Sequence, residues 1–258
     1  MTVLFPTSGG HKLVLGMVHL RPLPGTPFYK RDDFPRILDT AVTSALALRE
    51  GGADGCLVQT VDRVYSVTDE SDPARTAAMS LIVQAVVDAV TTAGTDAAGG
   101  SFQVGVHMLR NAMRASLAVA KVAGGSYIRA GAVVGQTMTA HGMVVANPLA
   151  TAEYREKIDA RDVRIIADID SMHYTWFGDQ RSTAEIARAA QNVGADAVAL
   201  CNPDETRTVE LVESVHETVP GLPIILAGHT HHDNAARLLR HADGAFVGRC
   251  LERGGWAV

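Results

Sequence analysis

The feature that most constrains this chain is an alternation repeated eight times: a short apolar run, then an amphipathic stretch. The runs are LVLGMV (13–18), GCLVQ (55–59), FQVGVH (102–107), YIRA (127–130), RIIADI (164–169), AVAL (197–200), PIILAG (223–228) and GAFVG (244–248). They do not alternate polar with apolar, so each is expected to be buried on both faces, as parallel strands are. Between them, helical periodicity covers Pro35–Glu50, Pro73–Val90, Asn111–Val122, Ala150–Arg161, Thr183–Val193, Glu205–Val219 and Asp233–Arg240. Gly51-Gly52, Gly124-Gly125 and Gly194 stand where helices should end in a left-handed cap, and Asp72-Pro73 and Ser182-Thr183 where helices should begin. Eight such units in 258 residues predict one closed (β/α)8 barrel, an α/β fold occupying 1–258 as a single domain. Only LERGGWAV follows the last strand, too little for a full eighth helix. Apolar surface between the first and seventh helices should therefore lack cover, to be filled by Trp256 and Val258 or by a second subunit. A homo-oligomer, most simply a dimer, is expected.

Composition removes several function classes. A net charge of −5, with no basic run interleaved with aromatics, argues against a nucleic-acid partner. The first twenty residues lack the basic n-region of a secretory signal, and the apolar runs fall short of a membrane span. Cys56, Cys201 and Cys250 form no CxxC pair and lie in strand-like runs, so buried, reduced thiols and a cytoplasmic setting are expected.

In such a barrel the site is built at the C-terminal ends of the strands. The residues expected there are His19, Gln59, His107, Arg110, Asn111, Arg129, Asp168, Asp170, His173, Asn202, His229 and Arg249. Seven of the ten histidines fall on that side, including His141 in the long loop after the fourth strand. Such a ring suits acid–base chemistry on a small polar ligand. Asp168 and Asp170, spaced i and i+2, should face the same side, where paired carboxylates can act as acid and base or hold a divalent metal. His19 and His107 would assist or orient. Arg110 and Arg129 either bind an anion or pair with acids such as Asp168. His229, His231, His232 and Asp233 resemble a metal cluster, but His232 and Asp233 should open the seventh helix, with Asp as a normal cap. No cofactor is expected, and a metal at either place is the lesser alternative. Gly228 and Gly248 end the seventh and eighth strands, where many barrels hold a phosphate on backbone amides.

Absences narrow the chemistry further. None of Lys12, Lys30, Lys121 and Lys157 sits at the top of a strand, against a Schiff-base enzyme, and no GxSxG elbow is present. The residues thus predict an enzyme acting on a small phosphorylated sugar or nucleoside-like anion, as lyase, isomerase or glycosidase. A non-enzymatic assembly or regulatory factor is the alternative, since fold does not fix function.

Several segments resemble one family. GMVHLRPLPGTPFY (16–29), VGVHMLRNA (104–112), YIRAGAVVGQTMTAHGMV (127–144), IIADID (165–170), ADAVAL (195–200) and DGAFVGRCL (243–251) are similar, in order, to the strand motifs of the BtpA/SgcQ family. The resemblance implies a phosphate-binding type of (β/α)8 barrel. It implies either a role like that of the cyanobacterial factor in photosystem I biogenesis, or one in sugar or nucleoside utilisation. The matching positions are His19, Arg110, Asn111, Arg129 and Asp168. The chain departs from the pattern at Gln59-Thr60 in place of Glu-Asn, His107 in place of Asn, Ala112 in place of Asp and Asp170 in place of His. All four lie at the mouth, so a different substrate or reaction from typical members is implied.

Overall fold

The computed structural model describes residues 11–94 and 101–252. Eight parallel strands close into a barrel: β1 (Leu13–Leu20), β2 (Gly55–Thr60), β3 (Gln103–His107), β4 (Tyr127–Ala130), then, after a hairpin of β5 (Gln136–Thr139) and β6 (Gly142–Val145), β7 (Arg164–Asp170), β8 (Ala197–Leu200), β9 (Ile224–Ala227) and β10 (Gly244–Val247). Each of the eight pairs in parallel with its sequence neighbours in the barrel, and β1 closes the ring against β10. The helices are α1 (Phe34–Glu50), α2 (Pro73–Thr92), α3 (Met113–Ala123), α4 (Pro148–Lys157), α5 (Thr183–Asn192), α6 (Glu205–Thr218) and α7 (Ala235–Leu238).

The core has two shells. Leu13, Leu15, Leu57, Ile166, Ile225 and Phe246 point into the barrel, and a larger layer including Val18, Val58, Ile128, Ile165 and Val198 faces the helices. That two-sided burial is why the strands read as unbroken apolar runs. Gly105 makes room for the buried Tyr127: a Cβ there would stand 2.2 Å from the Tyr127 ring, whose hydroxyl donates to the Cys56 carbonyl at 2.8 Å.

The helix ends follow local chemistry. Asp72 accepts from the backbone N–H of Ala74 and Arg75, with Pro73 in the first turn of α2, and Ser182 with Glu185 forms a reciprocal capping box on α5. Gly52, Gly124 and Gly194 adopt positive φ, whereas Gly51 stays right-handed. α7 is a single turn beginning at Ala235, shorter than the periodicity suggested. Asp233 is not its cap; Asn234 precedes the helix and accepts instead from the His231 N–H. α2 is the one described helix long and apolar enough, by length and composition, to cross a membrane, and its face of Met79, Ile82, Val83, Val86 and Val90 packs in the barrel wall.

The expected gap in the helical ring is present among the described residues. Between α1 and α7, over Val14, Val18, Ala245 and Val247, a groove of about 1000 Å³ runs up to the barrel mouth at His19 and Arg21. Trp256 and Val258, expected to pack there, lie outside the described residues. The three cysteines are free thiols; Cys56 and Cys201 are buried, while Cys250 is half-buried in a turn after β10 rather than within a strand.

Candidate active site

The mouth is assembled by the two-residue alternation of the strands. Register pairs His19 of β1 with Gln59 of β2, and Gln59 with His107 of β3. Inward alternation on the following strands adds Arg129, two residues beyond Tyr127, and Asp168, two beyond Ile166.

Arg129 and Asp168 form a buried bidentate pair. Arg129 Nε donates to Asp168 Oδ2 at 3.2 Å and Nη2 donates to Oδ1 at 2.9 Å, with Asp168 1% and Arg129 4% exposed. The guanidinium also lies 5.0 Å above the Phe246 ring. Burial pushes the Asp168 carboxyl above its ordinary range against the pull of Arg129. Asp170 does not join it. The register against β8 shifts between Asp168 and Asp170, breaking the alternation. Asp170 instead accepts from Thr183 Oγ1 at 2.8 Å and lines a separate surface cavity beside Trp176 and Arg181. The expected acid–base pair of carboxylates is therefore corrected: one is committed to Arg129 and the other lies elsewhere.

The imidazoles take the central place. His107 is 2% exposed, with Nδ1 2.9 Å from Gln59 Oε1 and no partner for the buried Nε2. Desolvation, reinforced by Arg129, His173, Arg110 and Arg75, holds His107 well below the usual imidazole range. His173 faces the same small cavity, and burial with Arg129 and Arg110 nearby lowers it to about 3. Both rings are neutral at physiological pH.

Arg110 follows β3 across a cis peptide bond with Leu109. Among the described residues it has no carboxylate partner; its Nε is buried without a hydrogen bond, and its guanidinium lies 5.3 Å over the Tyr65 ring. Its position depends on a residue the sequence reading passed over. Arg75, buried at the start of α2, pairs with Asp62 at 2.7 Å and donates to Thr60 Oγ1 at 2.8 Å and to the Leu109 carbonyl at 2.7 Å. A charged residue on the inward face of an apolar helix was the available signal.

The remaining candidates divide. Both ends of the Asn111 amide bond Ala132, pinning the loop after β4 rather than facing a ligand. Asn202 Oδ1 accepts from the Asp204 N–H in the turn before α6. His19 Nδ1 meets Glu252 Oε1 at 2.5 Å on the open side of the mouth, where the groove begins. His229 is exposed with φ 52, and Arg249 is exposed. A Cβ at Gly228 would stand 3.2 Å from Met172 Sδ, and one at Gly248 3.1 Å from Met17. Among the described residues no group of three or more His, Cys, Asp or Glu side chains is disposed to hold a metal ion, at the two aspartates or at the His229 cluster.

The hairpin roofs this half of the mouth. Val144 is buried with Ala132 and Tyr174, and Thr137 and Thr139 face the cavity bounded by His107, Arg110, Asp168 and His173. About 10 Å³ is free beneath it, space for one water at most. The hairpin is fastened by Tyr174 Oη donating to the Val134 carbonyl at 2.8 Å and by His141 Nε2 3.0 Å from the Arg63 carbonyl.

A closed eight-stranded parallel barrel, with polar side chains gathered at the C-terminal strand ends, defines a protein of the (β/α)8 class. More narrowly, the chain belongs to the BtpA family, whose sequence profile matches residues 10–258. It is 28% identical to the photosystem I biogenesis protein BtpA of Synechocystis sp., over 98% of this chain and 84% of that protein. It is 30% identical to an uncharacterized protein of Archaeoglobus fulgidus, over 95% and 93%. Among solved structures, phosphoribosyl anthranilate isomerase from Thermococcus kodakaraensis superposes with a TM-score of 0.50 at 13% identity, covering 95% of this chain and 92% of that one, a likeness of fold alone.

Proposed function

We propose that this barrel is an acid–base enzyme of the lyase, isomerase or glycosidase kind, acting at its mouth on a small anionic ligand, a phosphorylated sugar or a nucleoside-like molecule. The observation that carries this reading is Arg110: a half-buried guanidinium without a carboxylate partner among the described residues, facing a cavity whose one acid is already paired with Arg129. With Asp168 and Arg129 neutralising each other and both histidines neutral, the cavity carries one positive charge that a phosphate or carboxylate complements. Asp168 cannot take up a proton without breaking its bonds to Arg129, and His107, held well below the usual imidazole range, offers its unpartnered Nε2 to the cavity as a hydrogen-bond acceptor. The free thiols and the net charge of −5 fit a cytoplasmic protein without a nucleic-acid partner.

The test is calorimetric titration with ribose 5-phosphate, in which Arg110→Met is expected to weaken binding at least tenfold (about 1.4 kcal/mol). A second reading, an assembly factor on a retired barrel, is favoured by the Synechocystis relative, a photosystem I biogenesis protein. It requires no ligand at the mouth and predicts no effect of the same substitution. The groove between α1 and α7 belongs, in either reading, to a second copy of the chain.

A further inference from the structure

We infer that His107 is a specificity residue, its Nε2 held by Gln59 as a fixed acceptor for a hydroxyl of the ligand, so that the substrate is a hydroxyl-bearing anion such as a sugar phosphate. The inference rests on the anionic-ligand reading above and adds the second point of recognition. The Gln59 amide oxygen stands 2.9 Å from Nδ1 and accepts from it, which leaves the proton on Nδ1 and a lone pair on Nε2. With the amide turned to donate, the proton would instead stand on Nε2 and the site would select a ligand acceptor. Nε2 is fully enclosed, and no donor among the described residues reaches it. The neighbouring cavity is bounded by Arg110, Thr137, Asp168 and His173. A buried acceptor without a donor is costly, and a ligand hydroxyl removes that cost. A site built this way rejects an analogue that lacks the hydroxyl far more strongly than a site of apolar walls. Gln59 acts as a positioning residue: it touches His107 and selects the tautomer.

The experiment compares ribose 5-phosphate with n-pentyl phosphate, which share chain length and phosphate but differ in hydroxyls, by calorimetry on the full chain. The wild-type protein is expected to prefer ribose 5-phosphate at least tenfold. His107→Leu should reduce the preference at least threefold. Gln59→Leu, which frees the tautomer, should reduce the preference in the same direction. ¹⁵N NMR of the unsubstituted protein supplies a readout independent of folding: Nε2 should appear unprotonated in the free protein and shift upfield when ribose 5-phosphate is added. Equal affinity for the two phosphates, or a protonated Nε2 in the free protein, overturns the inference and leaves the anion site standing. If neither phosphate binds, the anion-site reading fails and this inference with it.

Discussion

His107 and His173 are neutral for the same reason: each is removed from water and set among guanidinium groups, and both effects disfavour a second proton. This has a consequence for stability that His173 makes measurable. In the unfolded chain its imidazole takes up a proton near its ordinary value of 6.5, whereas in the folded protein it does so only near 3. Between those values the unfolded state holds the extra proton. The contribution is complete above the unfolded value and is lost as pH falls through the interval. One proton corresponds to about 1.4 kcal/mol per pH unit. His173→Asn should therefore flatten the fall in unfolding free energy between about pH 6 and pH 4 by about that slope, measured by urea unfolding across the interval. Parallel slopes would show that His173 is not held neutral. At this scale the types of the mouth residues were legible and their pairings were not. Asp168 and Asp170 share a face only if the strand keeps strict alternation, and no residue type announces the shift in register that separates them. The sequence allows Arg110 and Arg129 either anion binding or internal pairing; the structure gives Arg129 to Asp168 and leaves Arg110 to the cavity.

The strands were legible because burial on both faces writes itself as an unbroken Val/Ile/Leu/Ala run, and most helices because one face repeats every 3.6 residues. The β5–β6 hairpin lay hidden in what reads as a long glycine-containing loop. Each of its strands has four residues, only Thr137 and Val144 are buried, and the alternation is too short to stand out. The Thr139–Gly142 turn, with Gly142 at φ 122, was the one local signal. As an element the hairpin is held to the barrel by few bonds, chiefly from Tyr174, from Thr175 N–H to Thr137 Oγ1 at 3.1 Å, from Phe177 N–H to the Gln136 carbonyl at 3.0 Å, and from His141. Segments with so few anchors open locally at lower free energy than core strands. Hydrogen exchange should show the amides of β5 and β6 exchanging well before those of β2, β3 and β7. Any sugar phosphate must displace this roof, since the space beneath it is about 10 Å³. Ribose 5-phosphate should therefore change exchange in the hairpin more than in any barrel strand.

At the scale of the molecule, the barrel is closed by hydrogen bonds but its helical ring is not complete among the described residues. A groove of about 1000 Å³ lies between α1 and α7. Exposed apolar surface of this kind commonly marks an interface. Light scattering at micromolar concentration should return the mass of a dimer, and a monomer mass would contradict a second copy in the groove. Among the described residues the mouth is open on the β1–β10 side and roofed on the β3–β7 side, so the Arg110 guanidinium and the unpartnered His107 Nε2 lie under the hairpin. The most direct test of the account is the titration of the wild-type and Arg110→Met proteins with ribose 5-phosphate, run side by side. The wild type should bind saturably, and the substitution should weaken that binding at least tenfold. No binding, or binding that Arg110→Met leaves unchanged, would contradict it.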